Sequence, residues 1–179
     1  MLCVARLSEQ KNHAMLLEIF KKIENLKKNA ILVLIGNGEL EEKIRRLVNE
    51  YEMNSSVLFL GARDDVRLLY NAADVFVLPT LYEGLGIVFL EAQINGLPCI
   101  TSKKVVPVDV VLTELIEQVD LSSKTDQWAE ETIKISEKRA LITSSRYAQE
   151  IREAGFDISI ESKHLLDFYY ELQERNSNV

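Results

Sequence analysis

Short apolar runs alternate along most of the chain with longer segments in which apolar residues recur every three or four positions. The short runs predict buried β-strands, because a strand that is covered on both faces is apolar throughout. The longer segments predict amphipathic helices, because a 3.6-residue period places their apolar positions on one face. Strands are predicted at 2–7, 30–35, 57–60, 74–78, 99–101 and 119–121, and helices at 14–26, 39–51, 64–73, 87–95, 125–139, 144–153 and 159–174.

The regular alternation of strands and helices, joined by connections of a few residues, predicts the fold class. It is α/β: right-handed βαβ units form a Rossmann-like parallel sheet with helices on both faces. With 179 residues, 47% of them apolar, the chain can bury the core of one domain. We predict a single domain over 1–176, with its core at 1–123 and C-terminal helices at 124–176. The strand pattern that begins directly after Met1 favours a chain cut at a domain boundary.

Composition narrows the classes of function. A net charge of −7, with acids and bases interspersed, argues against nucleic acid as a partner, since nucleic acid requires a basic surface. The two histidines, His13 and His164, have no metal-ligand spacing to other residues. No apolar run approaches the ~20 residues of a membrane span, and no signal peptide opens the chain. We therefore expect a cytoplasmic protein with no metal site.

Several conspicuous side chains are expected to have no role in binding or catalysis. Cys3 and Cys99 each lie in an apolar run, which is typical of small buried thiols in a reducing compartment. Trp128 and the cluster Phe168-Tyr169-Tyr170 lie in predicted helices, where packing between helices is expected. The pair Lys103-Lys104 is expected to be a solvated surface pair.

Glycines and charged residues gather after the predicted strands. The carboxyl ends of parallel strands meet at one edge of a sheet, and ligands of open parallel sheets bind there. We call this edge the carboxyl rim. The rim is predicted to carry Arg6, Gly36-Asn37-Gly38, Gly61-Ala62-Arg63, residues 80–86 and Ser102-Lys103-Lys104.

Arg6 and Lys11 are the first candidates for chemistry. Arg6 ends the first predicted strand and Lys11 opens the first helix, so both side chains can reach the rim. An arginine offers a planar fork for phosphate oxygens and a lysine offers a point charge, so the pair can neutralise a diphosphate without a metal. Two alternatives stay open: a surface pair of cations, or Arg6 bound to a carboxylate.

Two other motifs are weaker. Gly36-Asn37-Gly38 resembles the start of a dinucleotide fingerprint, but Glu41 stands where the third glycine would fall. A tight turn between strand and helix is therefore favoured. Asp64-Asp65 suggests a divalent metal site, but Asp64 as the N-cap of a helix is favoured.

The most informative segment lies between Glu83 and Glu91. It follows a strand, turns through Gly84-Leu85-Gly86 and continues as a helix, whose first N–H groups would be unpaired at the rim. If the segment were helical throughout, the two carboxylates would lie ~12 Å apart along the axis. Glu91 has mostly apolar neighbours and therefore requires a partner, which is expected to be Arg6, Lys11 or a ligand hydroxyl. A nucleotide sugar suits such a site.

In these motifs the chain resembles the carboxy-terminal half of the GT-B glycosyltransferases, specifically the retaining group 1 family, also called family 4. The resemblance covers residues 1–102 well and the remainder loosely. Five segments carry it in order: Val4-Ala5-Arg6-Leu7 with Lys11-Asn12; Leu34-Ile35-Gly36-Asn37-Gly38; 57–61; 72–80; and Glu83-Gly84-Leu85-Gly86 through Glu91-Ala92.

The resemblance implies roles for individual residues. In this family the carboxy-terminal domain holds a nucleotide-sugar donor, the amino-terminal domain supplies acceptor contacts, and no metal is required. Arg6 and Lys11 match the pair that binds the donor diphosphate, with Gly36 on the same rim. Glu83 matches the glutamate that contacts the donor sugar, and Glu91 matches the one that binds ribose. The amides of Gly84, Leu85 and Gly86 would approach sugar and phosphate, and Ala62 and Arg63 would hold the base.

The chain departs from the family in one segment. Many members have a glycine pair followed by Pro-Glu after the strand that ends here at Thr101, whereas this chain continues Ser102-Lys103-Lys104-Val105-Val106-Pro107. That variant resembles the branch that makes capsular polysaccharide and exopolysaccharide. The amino-terminal acceptor domain is absent from these 179 residues.

The expectation is therefore the donor-binding half of a hexosyltransferase, inactive in isolation, with a UDP-sugar favoured over a GDP-sugar and no cofactor. Membrane contact is expected only through the full-length enzyme, at the inner face of the membrane, or through its lipid-linked acceptor. Two alternatives stay open. One is a stand-alone nucleotide-binding or regulatory module that acts with a separate catalytic chain, and the other is a fragment of a sucrose- or glycogen-type synthase.

Overall fold

A computed structural model describes residues 1–141 and 144–177 and contains a parallel sheet of six strands. The spatial order is β3-β2-β1-β4-β5-β6, so the order reverses between β1 and β4. This arrangement confirms the predicted α/β class. The strands are β1 (Leu2–Val4), β2 (Leu32–Ile35), β3 (Val57–Phe59), β4 (Phe76–Leu78), β5 (Cys99–Ser102) and β6 (Ile116–Val119).

The centre of the sheet holds the core. Leu2 of β1 pairs with Val33 on one side and Phe76 on the other, and all three residues of β4 are buried. β1 is shorter than the predicted strand 2–7, although its hydrogen bonding continues from the Ala5 amide to Ile35 and from the Leu7 amide to Asn37. This extension carries the chain up to the carboxyl rim in a fixed register.

The described residues contain seven α-helices. Helix α1 packs against both α2 and α5, and α4 packs against both α3 and α6. Helices α1, α4 and α5 also contact β4 or β5. The amphipathic periods of the sequence therefore indicate helices that cover the sheet. The helices are α1 (His13–Leu26), α2 (Glu41–Glu50), α3 (Val66–Ala72), α4 (Ile87–Ile94), α5 (Thr125–Ser136), α6 (Ser144–Ile151) and α7 (Ile158–Ser177).

The start of α3 corrects one prediction. The N-cap position is occupied by Asp65 rather than Asp64, and its side chain makes no capping hydrogen bond. Instead both carboxylate oxygens of Asp65 accept hydrogen bonds from the Arg63 guanidinium, each at 2.7 Å. A bidentate, charge-assisted pair two residues away competes well with a single bond to the backbone.

The last strand also lies elsewhere than predicted. β6 occupies Ile116–Val119 rather than 119–121, and it pairs along the edge with β5. Its residues alternate between partly buried and exposed, with only Val119 fully buried. An edge strand need not be apolar throughout, so it lacks the continuous run that marks the central strands.

The C-terminal aromatic residues correct another expectation. Trp128 is fully buried and donates from Nε1 to the Asp120 carbonyl at 3.1 Å, as expected of a packing residue. Phe168, Tyr169 and Tyr170 on α7 are instead more than half exposed. The expectation that this cluster packs between helices is therefore wrong for the described residues. No helix among them is both long and apolar enough to cross a membrane.

Candidate functional site

The candidate site lies where the order of strands reverses. In an open parallel sheet, the loops that leave the two strands flanking this point diverge and leave a crevice between them. Here the crevice lies between the loop after β1, residues 5–12, and the loop after β4, residues 79–86. Most of the candidate residues from the sequence lie in these two loops.

Hydrogen bonds join the two loops into one unit. The Gln10 carbonyl accepts from the Leu81 amide at 2.8 Å and from Thr80 Oγ1 at 3.0 Å. Gln10 Nε2 in turn donates to the Tyr82 carbonyl at 2.7 Å. These bonds fix the position of one loop against the other. Lys11 follows Gln10 and Glu83 follows Tyr82, so the two side chains face each other across the joined loops.

Lys11 and Glu83 form an ion pair within this unit. Lys11 Nζ lies 2.7 Å and 2.9 Å from the two carboxylate oxygens of Glu83. The side chains are only 16% and 5% exposed, so solvent screens the pair weakly. The two contacts therefore hold the lysine side chain beside the glutamate. The sequence predicts separate roles for the two residues and does not reveal this contact.

Arg6 binds a different carboxylate from the one that Lys11 binds. Its Nε and Nη2 atoms are 3.2 Å and 3.1 Å from Glu39 Oε2, which is the carboxylate-bound alternative left open by the sequence. A backbone hydrogen bond and, after it, the charge of Arg6 lower the pKa of Glu39. The two side chains are 72% and 54% exposed. Exposed pairs of this kind are weak, so Arg6 can exchange Glu39 for an incoming anion.

The N-terminus of α4 opens onto the same loop. Gly86 occupies the N-cap position with φ 78° and ψ 45°, a left-handed conformation that glycine adopts without strain. No side chain of the described residues caps this end, so its first N–H groups are available to an anion. Only from Ile87 onward is the segment helical, so the ~12 Å estimate for a continuous helix does not apply to Glu83 and Glu91.

Glu91 has a partner that the sequence does not predict. Its Oε2 atom accepts a hydrogen bond from the Tyr70 hydroxyl at 2.9 Å, so the expectation of Arg6 or Lys11 as its protein partner is wrong. The Tyr70 ring is buried in α3, with 1% of its surface exposed. Burial and then the negative charge of Glu91 raise the pKa of Tyr70, so its hydroxyl stays protonated and donates.

The loops after β2 and β3 meet beside β1. Gly36 has φ 128°, and a side chain there would overlap the Ala5 carbonyl, so the turn requires glycine. Asn37 Oδ1 accepts from the Ala62 amide at 3.1 Å and ties the two loops together. Arg63 extends from the same loop and is held by Asp65. The residues predicted to contact phosphate and base therefore occupy adjacent loops of the rim.

The contacts of three residues in this arrangement are not predicted by sequence patterns. Gln10 and Asn37 stand in polar loops, where nothing distinguishes a loop-joining amide from a solvated one. Tyr70 reads as an apolar position of a helix, but a buried tyrosine hydroxyl needs a hydrogen-bond partner. That requirement was the one available signal, and it does not identify the partner as Glu91.

Cavity size does not mark the site. A cavity of about 770 Å³ lies at the opposite edge of the sheet, where Met1, Ile31 and Asp74 precede their strands. Its lining is mainly apolar and contains none of the candidate residues. Among the residues that the structure describes, no group of three or more His, Cys, Asp or Glu side chains could hold a metal ion.

Comparisons with known proteins agree with this geometry. The sequence profile of the family described as "Glycosyl transferases group 1" matches residues 1–154. The chain is 35% identical over 180 residues to the putative glycosyltransferase EpsF of Bacillus subtilis (strain 168), an alignment that covers 98% of this chain and 45% of EpsF. It is 31% identical over 176 residues to the UDP-Gal:alpha-D-GlcNAc-diphosphoundecaprenol alpha-1,3-galactosyltransferase of Escherichia coli, covering 94% of this chain and 44% of that enzyme.

A solved structure shows the same fold. Anabaena Alr3699/HepE in complex with UDP-glucose superposes with a TM-score of 0.74 at 18% identity, covering 95% of this chain and 48% of that one. The chain therefore spans less than half the length of the relatives and of this neighbour.

Proposed function

The chain belongs to the group 1 glycosyltransferases and matches the carboxy-terminal half of these proteins, and on that premise we propose that it is the half that binds the nucleotide-sugar donor. The whole enzyme would be a retaining, metal-independent hexosyltransferase of bacterial surface polysaccharide synthesis, working in the cytoplasm. It would meet the membrane only at the inner face, or through its lipid-linked acceptor. The observation that carries the proposal is the Lys11–Glu83 pair beside the open N-terminus of α4.

This arrangement suits a ligand with an anionic centre and a hydroxyl-rich end. Lysine has three donors, so Lys11 can keep Glu83 while it donates to a phosphate oxygen. The free N–H groups at the start of α4 add a second source of positive potential. Glu83, held beside Lys11, would then accept hydrogen bonds from the hydroxyls of a sugar attached to that phosphate.

Each candidate residue has a role in the proposal. Arg6 and Lys11 bind the diphosphate, and in the transition state they stabilise the charge that develops on it as the leaving group. Glu83 orients the sugar, and Glu91 binds the ribose hydroxyls. The amides from Gly84 to Gly86 approach the sugar and phosphate, and Ala62 and Arg63, beside Gly36, hold the base.

The choice of a UDP-sugar and of a lipid-linked acceptor is supported by similarity. The E. coli relative is named for UDP-Gal and for an acceptor attached to diphosphoundecaprenol. The Anabaena neighbour was solved with UDP-glucose. The donor of this chain would accordingly be a UDP-hexose.

Titration calorimetry of the chain with UDP, GDP and UDP-hexoses, with and without EDTA, tests the proposal. We expect weak binding of UDP that survives EDTA. Glu91→Gln should weaken binding of UDP, whereas Glu83→Gln should weaken binding only of the sugar-bearing donor. Failure to bind any of these nucleotides would overturn the donor-binding role, and binding lost on chelation would overturn metal independence. Equal losses of UDP affinity in both variants would overturn the assignment of sugar and ribose.

A further inference from the structure

The Tyr70–Glu91 hydrogen bond links the hydroxyl of a buried ring to the carboxylate of an exposed residue. The Tyr70 ring lies 6.0 Å from the ring of Phe76, centroid to centroid, and Phe76 packs edge-on against Phe89 at 5.6 Å. This aromatic stack joins α3, β4 and α4 and fixes the direction in which the hydroxyl points. Glu91, by contrast, is an exposed residue, and its side chain has several rotatable bonds.

The bond leaves part of the carboxylate available. Tyr70 donates to Oε2 at 2.9 Å, while its contact to the Val88 carbonyl is long at 3.5 Å. Oε1 of Glu91 accepts no hydrogen bond from the residues that the structure describes. An ionised carboxylate has about four acceptor sites, so one bond from Tyr70 leaves enough for two neighbouring hydroxyls.

We propose that Tyr70 is a positioning residue that orients the Glu91 carboxylate to accept the two vicinal hydroxyls of the nucleotide ribose, an inference that rests on the proposed donor-binding function. Without the tyrosine hydroxyl, the Glu91 side chain samples other rotamers, and ribose binding must then order it. The lost affinity therefore depends on the ribose hydroxyls themselves. A tyrosine that only supported the fold would weaken every nucleotide alike.

The chain offers a matched control one residue further along α3. Asn71 Nδ2 donates to Asn95 Oδ1 at 3.0 Å, so it also joins α3 to the end of α4. Asn95 Nδ2 in turn donates a hydrogen bond to the backbone carbonyl of Glu91 at 2.8 Å, and not to the Glu91 carboxylate. Asn71→Ala therefore removes a link between the same two elements and leaves the orientation of Glu91 to Tyr70.

The experiment measures calorimetric affinities of wild type, Tyr70→Phe, Glu91→Gln, the double variant and Asn71→Ala. The ligands are UDP, or GDP if wild type prefers it, and the matching 2′,3′-dideoxy nucleotide. Tyr70→Phe should weaken binding of the ribonucleotide about tenfold, the size of a hydrogen bond to a charged group, and leave the dideoxy nucleotide within about twofold. It should weaken binding by a smaller factor in the Glu91→Gln background, where the tyrosine hydroxyl donates to a neutral amide, and Asn71→Ala should leave both affinities within about twofold.

Each contrary outcome has a distinct meaning. If wild type binds and Tyr70→Phe weakens both nucleotides equally, or neither, the positioning role is overturned while the donor site stands. A Tyr70→Phe protein that fails to fold, as judged by thermal melting, also overturns it, since the hydroxyl would then support the fold. If wild type binds no nucleotide at all, the proposed function falls and this inference with it.

Discussion

At the scale of the residue, the two cations of the rim differ in how strongly the fold depends on them. Arg6 and its partner Glu39 are exposed, whereas Lys11 compensates the charge of Glu83, which is 5% exposed. Removing one member of a shielded pair leaves an uncompensated charge, while an exposed pair contributes little. The roles of Arg6 and Lys11 can therefore be distinguished by measuring how each substitution changes the affinity for nucleotide and the free energy of unfolding.

We predict that Arg6→Ala and Lys11→Ala each weaken binding of a nucleoside diphosphate by ~1.5–3 kcal/mol, as expected for a charge-assisted contact. Arg6→Ala should leave the free energy of unfolding nearly unchanged, whereas Lys11→Ala should lower it by about 2–4 kcal/mol. Urea denaturation and calorimetry measure the two effects.

The double variant Lys11→Ala/Glu83→Gln is the control, because neutralising Glu83 should restore much of the lost stability. Equal stability of the two single variants would show that the Lys11–Glu83 pair is not shielded in solution. Unfolding of Arg6→Ala would instead give Arg6 a structural role.

A buried histidine gives the domain a dependence on pH. His13 is 3% exposed, with Nε2 4.0 Å from Cys3 Sγ, and Nδ1 has no hydrogen-bond partner in the described part of the chain. Burial first, and the nearby charge of Lys11 second, lower the pKa of His13 from 6.5 to about 4. The same burial raises the pKa of the Cys3 thiol to about 12, so the pair carries no charge near neutral pH.

We predict that the domain loses stability as the pH falls from 6.5 towards 4. In this window the unfolded chain binds a proton that folded His13 does not, which corresponds to about 3 kcal/mol over the whole window. Urea denaturation at several pH values should show this acid limb flattened in His13→Gln. His164→Gln is the control, since His164 is 66% exposed on α7. An identical acid limb in His13→Gln and wild type would contradict the prediction.

At the scale of the element, two glycine turns lead from the sheet towards the site, and they differ in the space around them. Gly36 turns the chain after β2 against the Ala5 backbone, with φ 128°. Gly84 lies in the turn before α4, and a Cβ added there would meet nothing within 4 Å. Of these two glycines, only Gly36 is required by the fold itself.

We predict that Gly36→Ala lowers the free energy of unfolding by about 3 kcal/mol or more, because it combines backbone strain with overlap on the Ala5 carbonyl. Gly84→Ala should change it by no more than about 0.5 kcal/mol. Thermal or urea denaturation of the two variants under the same conditions provides the comparison. A Gly36→Ala protein as stable as Gly84→Ala would mean that the contact of this turn with β1 is not maintained in solution.

At the scale of the whole molecule, the chain spans 45% of EpsF and 44% of the E. coli galactosyltransferase. Glycosyl transfer needs donor and acceptor held together in a site from which water is excluded. In the proposed enzyme, the loops of the carboxyl rim would form one wall of such a cleft. Their binding energy alone cannot orient a second reactant.

We predict that this chain folds and binds donor but transfers no sugar to an acceptor, with slow hydrolysis of the donor as the most that it does. Incubation with radiolabelled UDP- and GDP-sugars and lipid-linked acceptors, beside a full-length version, measures transfer. Activity that appears only when a second polypeptide is added would favour the two-chain alternative. Robust transfer by this chain alone would require a complete active site within one Rossmann-like domain.

The sequence alone determined the parts of this protein that depend on local pattern. Continuous apolar runs identified β1 to β5. Four of these, β1, β2, β4 and β5, are inner strands, and a strand covered on both faces has no polar side. Helical periods located the helices to within a few residues, and the motifs from Arg6 to Glu91 indicated the family that the profile then confirmed. The sequence misplaced the edge strand β6, because its residues are only partly buried. It also misplaced the start of α3, because the Asp65 side chain pairs with Arg63 instead of capping the helix.

Only the tertiary structure decided which candidate residues meet. Lys11 and Glu83 are 72 residues apart in the chain, and Tyr70 and Glu91 are 21 apart. Their contacts depend on the strand order, which sets β1 beside β4, and on the packing of α3 against α4. Periodicity reports which face of an element is buried, but it carries no information about the partner on another element. A buried charge or hydroxyl needs some partner, and only the folded chain determines which residue is near enough to provide it.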